Sequence, residues 1–362
     1  MNRRINWTHF KNIYHIYQKK YEFRFCQLYE IPRVIEFIDQ YWQKEHIFTK
    51  SKALLDWQHL DQKNNRYNFV MAIDKETDEI HGMIGFILSS LYDDSILHPI
   101  RWGVIWKVRE DIDIRGLGLS LKYYLEIYAP ASYVGGVGLS KYSKKINRKL
   151  GEKVGKLKLY YMLNRTCQTF DLADQVTKEN FYVPDVCKSP YYLKEINGEC
   201  LLDHSKDYFR YIPEYKSTLY YINRYHRHPL YKYHFLEICN REDKAMACMI
   251  WRKCEANGKS AIVIVDYIGQ GCELVGLYDE FQSLLRNNYA EYISFYEYGL
   301  DDQALSLASF LNQEDCESVI PLYFEPFIRK NVDLDYHFYT ERQTDWVVIY
   351  KGDADQDRPN QI

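Results

Sequence analysis

Along most of the chain, apolar positions recur either at every second residue or at every third to fourth. Residues 21–27, YEFRFCQ, predict a first strand. From Glu30 to Trp42 the apolar set Ile31, Val34, Ile35, Ile38 and Tyr41/Trp42 follows helical spacing, and Ser51 to Leu60 gives a shorter helix with Leu54, Leu55 and Trp57 on its apolar side. In YNFVMAIDKETDEIHGMIGFILSS two β-rich runs flank the polar turn Lys75–Asp78, which predicts a hairpin. Asp93, Asp94 and Pro99 mark a loop. RWGVIWKVR, Arg101 to Arg109, then reads as a strand with Val104, Trp106 and Val108 on one side. Leu119 to Tyr128 predicts a helix ended by Pro130, Tyr133 to Leu139 a small-residue strand, Lys141 to Val154 a basic helix and Lys156 to Asn164 a closing strand. The order is β-α-α-β-β-β-α-β-α-β.

Between Arg165 and Tyr211 no long period is visible, although Asn197-Gly198 between YYLKEI and ECLLD predicts a small hairpin. The rest repeats the first order weakly. A helix is expected over Tyr215–His226 and a hairpin over Tyr233–Lys253. The strand SAIVIVDY enters a glycine turn, Gly269-Gln270-Gly271. Helix and strand then alternate through Leu274–Leu285, Glu291–Tyr298, Asp301–Leu311 and Ser318–Phe324. The expected architecture is α/β (α+β): two related mixed-sheet domains in tandem, 1–164 and 212–362, with 165–211 as a connecting module.

With 362 residues, 46% of them hydrophobic, the chain can build two sizeable cores. A net charge of -3 gives no reason to expect nucleic acid or an anionic membrane as partner. The nine cysteines include no CxxC pair and form no regular framework, so a zinc ribbon is not expected and a reducing cytoplasm is. The basic start MNRRINWTHF has no apolar stretch behind it, so no signal peptide is expected, and no apolar run is long enough to span a membrane. The 35 tyrosines fit platforms for sugar rings or simply a biased composition, and alone decide nothing.

DIDIRGLGLSLKYYL, Asp111 to Leu125, is more informative. A strand that ends in a turn and opens a helix leaves unpaired N–H groups at the helix start, where the dipole adds partial positive charge. Gly116 and Gly118 let the backbone curl close to an anion, and Arg115 adds a charged fork, so the segment suits a pyrophosphate. There is no GxxxxGK[ST] and no complete GxGxxG, which excludes a P-loop and disfavours a Rossmann site.

Arg115-Gly116-Leu117-Gly118-Leu119-Ser120 resembles the [QR]-x-x-G-x-[GA] signature of the GNAT superfamily of N-acetyltransferases, with Ser120 in the final small position. The element order over 21–164 is similar to that fold, and NRKLGEKVGKLKLYYML resembles its helix, "LG" turn and closing strand. The resemblance implies acetyl-CoA, or another acyl-CoA, as co-substrate and no metal. It implies that the loop amides at Arg115–Ser120 hold the pyrophosphate and that the strand carrying Val108 hydrogen-bonds the pantetheine arm. Many members carry an acidic tyrosine just before the "LG" turn. Here that position is Asn147, and Tyr142, one to two turns earlier, is the substitute that could reach in.

Candidate bases are His98, Asp93 and Asp94 in the loop before the central strand, and Glu110 at its end. In the second copy Ile268 stands where Arg115 does and Glu273 where Ser120 does, so a degenerate copy without a pyrophosphate site is expected. The acids of KGDADQDRP read as a solvated tail, or as a row that could hold an amine or a metal. The tail also resembles that of acetyltransferase-like proteins of bacterial surface-polysaccharide clusters. Together these imply a cytoplasmic N-acyltransferase acting on an amino-sugar nucleotide. The alternatives are an enzyme for an amino acid or other amine, and a non-catalytic CoA-binding regulator.

Overall fold

The computed structural model describes residues 7–112, 114–181, 183–185, 189–203, 206–343 and 346–360. The chain divides into two compact units, each discontinuous in sequence. The first comprises Met1–Gly155, Asp335–Gln343 and Asn360–Ile362, and the second Lys156–Leu334 and Thr344–Pro359.

The first unit is a mixed sheet between two helical layers. After helix α1 (Trp7–Tyr17) come β1 (Tyr21–Gln27), α2 (Ile31–Phe37), α3 (Lys52–His59), the hairpin β2 (Arg66–Asp74) and β3 (Ile80–Leu88), and β4 (Ile100–Val108). Then follow α4 (Leu117–Tyr128), β5 (Tyr133–Val137), α5 (Lys141–Lys149) and β6 (Lys153–Lys156). β2 is buried on both faces. Phe69, Met71 and Ile73 pack with α2 and α3, whereas Val70 and Ala72 pack with Tyr14, Leu117, Leu121 and Leu125 of α1 and α4. That double burial explains why β2 and β3 read as continuous apolar runs.

The spatial order is β1-β2-β3-β4-β5, then the strand Asp335–Thr340, then β6. The returning strand pairs antiparallel with β5, with His337 opposite Gly136. The sequence-based expectation gave this place to Lys156–Asn164. That segment instead forms β7 (Lys158–Leu163), which pairs with a strand of the second unit. Alternation identifies an apolar strand but not the sheet it joins. The basic helix also stops earlier than expected, at Lys149, because Gly151 takes φ +72 and turns the chain into β6.

The second unit repeats the plan. β8 (Tyr192–Ile196), β9 (His234–Cys239), β10 (Ala245–Ala256), β11 (Lys259–Ile268) and β12 (Ala290–Tyr298) lie in sequence across the sheet, with β7 beyond β12. The hairpin expected at Asn197-Gly198 does not form: Gly198–Leu202 is a 3-10 turn, and β8 pairs with β9 instead. The acidic tail is not solvated. The Asp357 carboxylate accepts from Arg252 Nε at 3.0 Å and from Tyr233 Oη at 2.7 Å, and it also pairs with Lys351. Asp353 and Asp266 lie 3.0 and 2.8 Å from Lys216 Nζ. Asp353 and Asp357 each answer a buried cation and serve the core. Cys187 lies outside the described residues; the other eight cysteines are free thiols.

Candidate functional site

β4 and β5 are parallel and paired only from Ile100↔Tyr133 to Trp102↔Gly135. Beyond that register they diverge, and the space between them is a cleft of about 810 Å³. Gly103, Val104, Trp106 and Val108 line one wall, and Val137, Gly138 and Leu139 the other. Strands that separate in this way expose backbone N–H and C=O groups to whatever enters.

The start of α4 forms the cleft's mouth. Gly116 takes φ +98, a conformation that a side chain would strain, and its missing Cβ also leaves room for Ile13 Cγ2, which would stand 3.1 Å away. The first internal bond of the helix runs from the Ser120 amide to the Gly116 carbonyl at 3.1 Å. Among the described residues the amides of Gly116, Leu117, Gly118 and Leu119 meet no acceptor. Trp106 Nε1 donates to the Gly118 carbonyl at 3.2 Å and fastens the turn to β4, and Tyr17 Oη donates to the Arg115 carbonyl at 2.6 Å. The turn is held from behind while its donors face outward, the geometry of an anion site.

Of the residues singled out from the sequence, Val108, Arg115, Gly116, Gly118, Glu110, Tyr142 and Asn147 border the cleft. Leu117 and Ser120 are buried in the helix's core-facing side, and neither they nor Leu119 border it. Ser120 Oγ donates to the Gly116 carbonyl at 3.3 Å. His98 and Asp94 do not border it either. They precede β4 on the side where β4 and β5 are still paired, whereas the cleft opens past Trp102. His98 Nδ1 lies 3.4 Å from Ser132 Oγ. Asp93 accepts from the amide and hydroxyl of Ser95 and stabilises its own loop.

Glu110 pairs with Lys107 at 2.5 Å, a contact that holds its carboxyl below the ordinary value and weakens it as a base. Tyr142 is 67% exposed, at the rim. Asn147 is buried, and its Oδ1 has no partner among the described residues. A buried, unpaired carbonyl oxygen beside a cleft is suited to receive a donor from a ligand.

Among the cleft residues not foreseen are two buried ionisable ones. Lys122, on α4, is buried with Nζ 3.2 Å from Glu126 and 3.9 Å from Glu152. His337, on the returning strand, has Nδ1 2.5 Å from Glu152 Oε2. Burial by itself raises the Glu152 carboxyl, but Lys122 and His337 more than offset this and hold it below its ordinary value. Arg101 closes the row from the other end, paired with Glu126 and donating to the Leu125 and Ala129 carbonyls. Lys122 at helical spacing from Gly118 was a usable signal. His337 had none, because nothing local ties it to this sheet.

The second unit's glycine turn shares the left-handed glycine but is filled by one of its own side chains. Gly271 takes φ +94 after β11, yet the Glu273 carboxylate accepts from the Gly271 amide at 2.9 Å, the Gln270 amide at 3.2 Å and Tyr267 Oη at 3.1 Å. Its donors are taken from within.

No family model matches the chain, and no curated protein does. Solved structures do. A GCN5-related N-acetyltransferase from Anabaena variabilis superposes with a TM-score of 0.55 at 10% identity, over 89% of this chain and 73% of that one. A protein of unknown function from Enterococcus faecalis, described as a probable N-acyltransferase, gives 0.51 at 10% identity, over 87% and 71%. At such identities the likeness is one of fold, and it extends across both units.

Proposed function

We propose that this chain is an N-acyltransferase that takes its acyl group, an acetyl group, from CoA bound in the β4/β5 cleft. The observation that carries the reading is the pair of unpaired amides of Gly116 and Gly118 at the mouth of that cleft, beside the exposed Arg115. The likeness of fold to an N-acetyltransferase supports it. In this reading the amides and Arg115 hold the pyrophosphate, the diverging edges of β4 and β5 take the pantetheine amides, and the thioester lies toward the apex near Trp102 and Gly135. Glu273 fills the corresponding turn of the second unit, so we assign one CoA site per chain.

For the acceptor we propose an amino group on a nucleotide-linked sugar. The half-exposed Trp42 and exposed Tyr142 at the rim offer faces for a sugar or base ring, and the tail's resemblance to surface-polysaccharide acetyltransferases points the same way. No helix among the described residues is long and apolar enough to cross a membrane. Purified protein incubated with acetyl-CoA and a panel of amino-sugar nucleotides, amino acids and small amines tests the assignment by release of free thiol. Turnover with an amino-sugar nucleotide supports it. Turnover only with amino acids or small amines removes the sugar, and CoA binding without turnover across the panel favours a regulator.

A further inference from the structure

The apex of the cleft ends on an imidazole. His337 stands opposite Gly136, one residue past the last β4–β5 pair, and is only 4% exposed while bordering the cleft. A Cβ on Gly136 would lie 2.5 Å from His337 Nε2 and 3.2 Å from the Gly103 carbonyl oxygen. The ring is therefore laid over the glycine, with Nε2 at the point where the two strands part. Its other nitrogen lies 2.5 Å from Oε2 of Glu152, a side chain with no exposed surface, in ion-pair contact but outside hydrogen-bond geometry. Among the described residues Nε2 has no hydrogen-bond partner.

We propose that His337 is the catalytic base of this cleft, with Glu152 as its positioning residue; the proposal rests on the acyl-transfer reading above. Glu152 keeps the ring proton on Nδ1, which leaves the Nε2 lone pair facing the thioester region. The acceptor amine attacks the thioester carbonyl carbon, forming the C–N bond, and its proton passes to Nε2. The C–S bond breaks, the thiolate leaves with the electron pair, and Nε2 returns the proton to sulfur. Amine and acyl-CoA become amide and free CoA, and the enzyme ends in its starting state.

The charges around the ring suit this cycle. Arg101 and Lys122 are matched by Glu126 and Glu152, so the proton arriving on His337 meets no excess positive charge. On the same strand face, Asp335 is already engaged by Lys144 at 2.7 Å. The arrangement also accounts for Asn147, which cannot donate a proton to the thiolate from the place where many similar folds keep a tyrosine.

The test uses the full chain labelled with 15N-histidine, with His337→Gln to locate the resonances. The expected result is the Nδ1–H tautomer, with the Nε2 resonance shifting when CoA is added. CoA affinity by calorimetry should stay within about twofold in His337→Gln and His337→Asn. Thiol release with whichever panel amine the wild type uses should fall at least about 100-fold, the lower range for losing a general base, with KM for acetyl-CoA unchanged. In Glu152→Gln the acidic limb of kcat/KM should move to lower pH, because a carboxylate that favours the imidazolium is gone. An Nε2–H tautomer, resonances indifferent to bound CoA, or His337 variants within threefold of wild-type turnover would each overturn the proposal while leaving the CoA site intact. Absence of CoA binding in the wild type would remove the underlying reading, and the proposal with it.

Discussion

The carboxylate of Glu273 lies 2.9 Å from the amide of Gly271 and occupies the turn that stands open at Gly118 in the first unit. Gly116 and Gly271 share a left-handed backbone, at φ +98 and φ +94, although the first opens the α-helix Leu117–Tyr128 and the second only the 3-10 turn Cys272–Leu274. An internal carboxylate takes the donors that would otherwise be offered to a phosphate. Calorimetry should therefore give one CoA per chain. Glu273→Ala leaves the Gly271 amide and the buried Tyr267 hydroxyl without their acceptor and should cost about 1–3 kcal/mol in urea unfolding, the usual penalty for buried unsatisfied donors. The stoichiometry should remain one, because with Gly271 matched to Gly116 it is the uncharged Gln270 that stands where Arg115 does. A second CoA equivalent in the variant would refute the account of Arg115.

Arg115→Glu places a carboxylate beside the open amides. CoA affinity should drop by on the order of 1–3 kcal/mol, the range for a lost charge-assisted contact, and the loss should shrink as salt is raised. Gly116→Ala should act differently. It forces a side chain into φ +98 and to within 3.1 Å of Ile13 Cγ2, so roughly 1–2 kcal/mol of folding stability should go as well. Calorimetry paired with thermal melts separates the two. If Arg115→Glu leaves CoA affinity intact, the pyrophosphate lies elsewhere.

The glycine turn before α4 was legible because its signal is local: two glycines, an arginine and a helix start within six residues. The strands β1 to β5 were legible because their burial is periodic. What could not be read is the exchange of partners. Lys158–Leu163 and Asp335–Thr340 are both short apolar strands, and only the folded sheets decide that the first joins β12 and the second joins β5. With that exchange came His337, a residue with no signature of its own in a segment for which no element was foreseen. The tail was misread for a related reason. Alternating acids look solvated until Arg252 and Lys216, distant in sequence, are found against them. His98 and Asp94 had suitable chemistry, but they sit where the strands are still zipped.

Two adjacent glycines in β5 separate structure from chemistry. A Cβ on Gly135 would lie 2.5 Å from Trp102, on one face of the sheet, and a Cβ on Gly136 2.5 Å from His337 Nε2, on the other. Overpacking of this kind costs typically about 1–3 kcal/mol, so both Ala variants should melt at lower temperature. Only Gly136→Ala should lose thiol-release activity beyond what its folded fraction explains, since it alone displaces the imidazole. CoA should still bind to either variant below its melting range. Equal specific activity of the two, corrected for folded protein, would show that the position of His337 is immaterial.

Acid sensitivity should originate largely in the second unit, at His228. Its Nδ1 accepts from the amides of Leu230 and Tyr231 at 3.1 and 2.9 Å, so that nitrogen must stay unprotonated. Burial, and then Arg224, depress the ring from 6.5 to about 3. Between those values the unfolded chain binds a proton that the native state refuses, so stability falls as pH drops through 6.5 and keeps falling to near 3. The slope from this one group is at most about 1.4 kcal/mol per pH unit. Asp266 and Glu297 act with the opposite sign, because burial raises them to about 6 and about 7, and their contribution is largest in acid and lost on going alkaline. The wild-type profile therefore mixes the two. His228→Asn isolates the histidine, because an amide oxygen can take both N–H bonds without titrating. Urea unfolding at pH 7.5, 6, 5 and 4.5 should show the variant losing less stability than wild type over that range, by a margin that widens toward acid. Parallel profiles would mean that His228 carries its proton in the native state and that the two amide contacts are not what holds the ring neutral.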